Sequence, residues 1–398
     1  MRKFRLNEKG SAVLVGIAAI SMVLLMGLTM LAIIQMSGRM ISRQRLYQGQ
    51  ALNAADAGLT DTLAWFTTRT VQPVTSYAPI RNMSATPPVN ETEVQSIGIV
   101  RTYPLTNLGN LWGRYEARLA SVSDVSTQRG KSSAGTMWQV ESNGIVFRDA
   151  DNDGVFDWTD SNSNGVYDKG EAGEGIIMRK LRTEIQRLSL VLPAGNAAVH
   201  GYTCSTVNTT TGGSRVRVWG TSAGTGIGCR SGSGSPTTTG TSITGTPAIQ
   251  SSVSPYNSTV SNVFGVSQGE LIAMANLSVT SVASLPASLP AMSLIVINGN
   301  AAFTTAKPLT GSGILVVFGN LTIPANTFSS WSGVIYVTGT TSITAPTTIS
   351  GALVGQGNIS LVGGASDFVQ CTWDSTTVSQ IRQALGGYRF SRASYLVP

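Results

Sequence analysis

Carboxylates and carboxamides crowd into one short stretch of this chain. Asp149, Asp151, Asp153, Asp157 and Asp160 stand at positions 1, 3, 5, 9 and 12 of a loop, with Gly154 at position 6 and Val155 at position 7. The spacing then starts again on the same residue. Asp160, Asn162, Asn164, Asp168 and Glu171 repeat it, with Gly165 and Val166 in the corresponding places. Side-chain oxygens at these intervals, with a main-chain carbonyl from Val155 or Val166, add up to the six to eight hard ligands that calcium prefers. Without a cation the carboxylates repel one another. The expectation is two abutting calcium sites that share Asp160, the second weaker because Asn replaces Asp twice.

The spacing resembles the calcium loop of an EF-hand. No helix-loop-helix frame surrounds it, so the bare calcium loops of extracellular bacterial proteins are the nearer pattern. Little else in the chain suggests reactivity. The one histidine, His200, has no fixed relation to a Ser or Cys and reads as a surface residue. The Gly-rich stretch 224–240 contains no phosphate-binding loop. Cys204 and Cys229 are the disulfide candidate, in an oxidising compartment, and Cys371 is left over. No catalytic residue is assigned, and an enzyme is not expected. Lys and Arg number 27 against 20 acids, but the first ten residues carry three of the seven net charges. What remains is too diffuse for a nucleic-acid surface.

The elements that must position the loops come next. The 398 residues are 42% hydrophobic and only 12% charged, with 44 glycines. That balance favours β or repetitive extracellular architecture over a helical enzyme. Residues 11–36 carry no charged side chain, and the run predicts a transmembrane helix. Beyond it Leu52, Ala55, Leu59, Leu63 and Phe66 recur at three- and four-residue steps, an amphipathic continuation.

A short basic leader ends in Lys9-Gly10 and the apolar run begins at Ser11. This boundary resembles the class III signal of type IV pilins and pseudopilins, and Ala51-Leu-Asn-Ala-Ala-Asp-Ala-Gly-Leu59 is similar to the signature of PilX-type minor pilins. The resemblance is specific over residues 1–66. It implies cleavage by prepilin peptidase after Gly10, with Ser11 as a methylated N-terminus. It further implies packing against other pilin subunits through the N-terminal helix, and a single-pass protein of the bacterial inner membrane whose C-terminus is periplasmic and which reaches the pilus and cell surface. Shaft-forming pilins carry Glu at mature position 5, where this chain has Val15. A subunit with no neighbour above it has no need of that carboxylate, so Val15 points to a tip or priming position.

Residues 115–122 and 138–147 alternate as half-buried strands do. Residues 176–191 fit either a helix face or a strand, and a pilin-like meander calls for a strand. Further on, Ser293-LIVINGN, Gly313-ILVVFGN, Gly333-VIYVTGT and Gly351-ALVGQGN begin 20, 20 and 18 residues apart. That period predicts a parallel β-solenoid, with an antiparallel sandwich as the competing arrangement. Gly269-Glu-Leu-Ile-Ala-Met-Ala-Asn leads the same pattern.

The expected fold is therefore α+β. It comprises a leader (1–10), a transmembrane and amphipathic helix (11–68), and a pilin-like β domain (69–200) carrying the calcium loops 149–171. A Gly/Ser/Thr-rich linking region (201–270), a β-solenoid (271–375) and a C-terminal cap (376–398) follow. The expected function is that of a calcium-stabilised minor pilin-like structural protein at or near the tip of a type IV pilus, priming assembly or presenting an adhesive surface, with a tip adhesin among the expected partners. Two alternatives stand beside it. One is the large tip pseudopilin of a type II secretion system. The other is a membrane-anchored surface enzyme acting on polysaccharide, against which the near absence of Asp and Glu from 207–366 counts.

Overall fold

The computed structural model describes residues 8–106, 110–124, 136–168, 170–193, 196–209, 215–221, 224–238, 241–391 and 395–397. Side chains of 8–20, 27, 32–34, 37–39 and 395–397 are not among those described. Gly10, Ser11 and Val15 therefore take part only as backbone of a helix, and leader residues 1–7 lie outside the described residues.

The class is mostly β, with 41% strand and 20% helix, which corrects the α+β expectation. One helix runs continuously from Glu8 to Thr68. Among the described residues no helix is long and apolar enough to cross a membrane. The expected transmembrane helix is corrected by that finding. The prepilin reading with its processing at Gly10 and Ser11, and the single-pass inner-membrane placement, lose the support they drew from it.

The C-terminal part of the helix lies against an antiparallel sheet. The sheet is built from Ile99–Pro104, Leu111–Asp124, Thr136–Arg148, Gly175–Leu188, Gly387–Phe390 and Tyr395–Val397. Ala51, Ala54, Ala55, Leu59 and Phe66 are buried there beside Trp138, Val140 and Ile185. The small residues have a steric reason. A Cβ at Gly144 would overlap the Ala51 carbonyl and the Ala55 amide, so helix and strand meet backbone to backbone. The opposite face of the sheet is charged. Glu141 receives Arg118, Lys180 and Arg182. Burial works to raise its carboxyl pKa, but hydrogen bonds from Arg182, Arg118 and Lys180 prevail and hold it down at about 2.

The rest of the chain winds into a parallel solenoid. Ser293, Gly313, Gly333 and Gly351 pair in register along one ladder, and every strand pair in this body is parallel. An antiparallel sandwich is thereby excluded. At the ladder glycines φ is +125°, +145° and +136° in Gly313, Gly333 and Gly351. A side chain on any of them would strike the carbonyl of the coil below, so the chain turns a corner there that only glycine permits. At the next corner the Asn320 amide donates to Asn300 Oδ1 and the Thr340 amide to Asn320 Oδ1, both at 2.9 Å.

The coils do not stack in chain order. Val369–Trp373 lies between Thr347–Gly355 and Val216–Trp219, and Ala197–Gly201 lies between Thr347–Gly355 and Thr225–Arg230. The block 197–253 therefore continues the stack beyond residue 373, and the chain both enters and leaves the solenoid at its middle. Three boundaries shift as a result. The region 201–270, expected to link, contributes the strands Val216–Trp219, Thr225–Arg230, Thr241–Thr244 and Ile249–Val253. Gly269 belongs to a helix, Gln268–Met274, opened by a capping box between Ser267 and Glu270. The helix Ser375–Ala384 packs on the side of the sheet, with Ile381 against the corner at Gly333 rather than over an end. The chain after it returns to the head, where Gly387–Phe390 pairs with Gly175–Leu188.

Candidate metal centre

The two acidic loops connect neighbouring strands of the head sheet, Thr136–Arg148 and Gly175–Leu188. They fold back over the sheet's charged face. Phe156 lies under Arg114, whose guanidinium carbon is 5.8 Å from the ring centroid, and Gly154 approaches Trp112. Each loop is anchored by the aromatic residue at its eighth position. Phe156 and Tyr167 are buried with ring centroids 5.0 Å apart, against Phe147 and Ile145. The repeated Gly-Val-aromatic-Asp sequence is therefore a hook into a small core as well as a ligand spacing.

Backbone geometry repeats with it. Asn152 and Ser163, the fourth residues, have φ of +66° and +58°, and Gly154 and Gly165 have +78° and +74°. Asp149, fully buried, accepts from the Asn152 and Gly154 amides at 2.6 and 2.8 Å. Asp160 likewise accepts from the sixth-residue amide of Gly165 at 2.7 Å, and its other donor is the fifth-residue amide of Asn164, at 3.1 Å. Asp153 accepts from Val155, and Asn164 from Val166. The ligand-type oxygens of Asp149, Asp151 and Asp153 lie within 4.8 Å of one another, a group able to hold a metal ion. The Asp151 carboxyl is raised above its ordinary range, first by desolvation and then by the charges of Asp153 and Asp157. In the second loop Asp168 is lowered, chiefly by hydrogen bonds from the Asn162 and Asn164 carboxamides at 3.0 and 2.7 Å.

The closing residue of the first loop is not the expected one. In the second loop Glu171 accepts from the amides of Ser161 and Asp168, its second and ninth residues, at 3.0 and 2.9 Å. In the first loop the equivalent amides, Ala150 and Asp157, donate instead to Glu174, at 2.7 and 3.3 Å. Asp160 is occupied with the amides of its own loop. The second loop is thus inserted within the first, and Glu174 closes the outer one. An antiparallel bridge between Trp158 and Gly173 fastens the insertion. Asp160, expected to serve both loops, takes amides of the second loop here, and Glu174 takes the closing place in the first. The one signal in the sequence was a second glutamate three residues after Glu171.

The other expected positions are placed as follows. Cys204 and Cys229 form a disulfide, and Cys371 is a buried free thiol whose pKa burial pushes up to about 12. His200 is not on the surface. It is fully buried on the strand Ala197–Gly201, where its Nε2 accepts from the Ala197 amide at 3.3 Å and burial holds the imidazole down at about 3. Comparison of the chain with models of protein families, with curated proteins and with solved structures finds no match.

Proposed function

We propose that this protein is a structural, non-catalytic subunit placed at or near the tip of a filament of the type IV pilus kind, with calcium bound in its nested loops. The observation that carries this reading is the long helix. Its buried segment ends near Ala51, whereas upstream Met22, Leu24, Leu28 and Met30 are 64, 61, 62 and 70% exposed. A helix that leaves so many large apolar side chains uncovered needs a partner surface. The resemblance of residues 51–59 to minor pilins supplies one of matching form, the corresponding helices of neighbouring subunits.

Calcium fits the donor set better than a softer metal, because every side-chain ligand offered is oxygen. Bound there, it would neutralise carboxylates that tie two strands of the head together. The long solenoid then serves as the surface the filament presents for contact, which the mainly helical head of a secretion-system tip pseudopilin would not. The test is immunogold labelling of filaments from cells expressing the protein. Sparse labelling confined to filament ends is expected, and Leu24→Asp with Leu28→Asp should abolish it. Uniform labelling along the shaft would refute the tip position.

A further inference from the structure

One outer face of the solenoid carries a group that the filament reading does not use. On the strand Val216–Trp219 the side chains alternate, with Val216 and Val218 buried and Arg217 and Trp219 half-exposed. The Arg217 guanidinium lies over Phe368, 3.5 Å from the ring centroid, and 5.2 Å from that of Trp219. Arg215 stands 5.6 Å from the same Phe368 ring and donates to the Ser366 carbonyl at 2.6 Å. Among the described residues neither arginine is ion-paired, and the exposed Asp367 of the same turn bridges to neither.

The surroundings are hydroxyl-rich. In register beside Arg217 run Ser242 on one side and Gln370, Thr348 and Ser330 on the other. Beside Trp219 runs Thr372. Rungs of such a sheet are about 4.8 Å apart, so the face is a flat array of small donors and acceptors with one aromatic and guanidinium platform in it.

We infer that this face binds an acidic polysaccharide, a polymer of uronic acids. A guanidinium seated on an aromatic ring, 3.5 Å from its centroid, loses little freedom on binding, and its planar N–H fork suits bidentate contact with a carboxylate. The indole of Trp219 offers an apolar plane to the C–H face of a sugar ring, and the Ser, Thr and Gln side chains match its hydroxyls. Nucleic acid is disfavoured by number: its affinity grows with each phosphate neutralised, and two arginines form no phosphate track. The inference names a ligand for the contact surface proposed above, and rests on that proposal only for its place in the cell.

The test is binding of the purified full chain to polygalacturonate, with neutral dextran and a 20-base-pair DNA duplex as comparators. Polygalacturonate should bind and dextran should not, with DNA weaker than polygalacturonate. Arg217→Gln and Trp219→Ala should each weaken polygalacturonate binding about tenfold at unchanged melting temperature. Absence of binding, equal binding by Arg217→Gln, or preference for DNA would overturn the inference. None of these outcomes alters end-labelling of filaments, and loss of end-labelling alters none of them.

Discussion

Glu174 and Asp160 make the nested loops separable at the level of single residues. An ion bound only by the folded loops stabilises by RT ln(1 + [L]/Kd), about 2.7 kcal/mol at a hundredfold excess over Kd. The wild type should therefore melt higher in millimolar calcium than in chelator. Calorimetric titration should resolve an outer and an inner site. Glu174→Gln should weaken the outer one, which contains Asp149, Asp151 and Asp153, and spare the inner. Asp160→Ala should do the reverse. A titration without calcium heat, together with an unchanged melting temperature in chelator, would remove calcium from the account. His200 gives a different residue-scale expectation. Its imidazole stays neutral in the fold down to about pH 3, whereas in the unfolded chain it takes up a proton below about 6.5. Stability from this group is thus complete above pH 6.5 and lost as pH falls toward 3, by up to about 1.4 kcal/mol per unit. Between pH 6.5 and 4 the wild-type melting temperature should fall more steeply than that of His200→Gln. Parallel curves would mean that the imidazole is hydrated or charged in the fold.

Among the elements, the helix against the head sheet has the least tolerance. Ala51 and Ala55 meet Gly144 with no room for a side chain, and a Cβ on Gly58 would overlap Ser142 Oγ and come 3.0 Å from the Tyr115 ring. Overpacking of this kind costs about 1–3 kcal/mol where neighbours can yield, and here the neighbour is helix backbone. Gly144→Val is expected to cost about 3 kcal/mol or more, read as a lower denaturation midpoint of the head by tryptophan fluorescence from Trp65 and Trp138. An unchanged midpoint would mean that helix and sheet are not in backbone contact. In the sequence, residues 51–59 stood out by their resemblance to a minor-pilin signature and by an apolar stripe, not by the smallness of their side chains. The reason for that smallness was not legible, because Gly144 is remote in the chain and ordinary in its local context.

The whole molecule is joined through its middle. The Ser189 and Val191 amides donate to the Phe264 and Val263 carbonyls at 2.9 and 2.8 Å, and Arg382 Nε donates to the Leu190 carbonyl at 3.1 Å. Tyr388, past the solenoid, packs on Phe66 and accepts from the Val74 amide at 2.8 Å. Gly387–Phe390 and Tyr395–Val397 therefore belong to the head sheet. Deleting 387–398 should lower hydrogen-exchange protection in Thr136–Arg148 and Gly175–Leu188 while leaving Ser293–Ile297 and Ser329–Val337 protected. Loss of protection in both bodies would show that they fold as one cooperative unit.

What the sequence determined by itself was periodic or local. The 20-residue spacing of Ser293, Gly313 and Gly333 is a stacking distance along the chain, and it appears unaltered as in-register pairing. The loop residues from Asp149 to Glu171 are equally visible, since ligand spacing and the two glycine turns are properties of consecutive residues. Tertiary structure alone decided three matters. It chose Glu174 over Asp160, because closing a loop depends on which carboxylate reaches amides across an insertion. It set the block 197–253 beyond residue 373, because parallel strands pair by edge complementarity and the chain order of coils is free. It buried His200, whose polar character suggested a surface place, because its strand pairs on both edges inside the stack. In each case the partner that decides is distant in sequence, and only the closed fold brings it near.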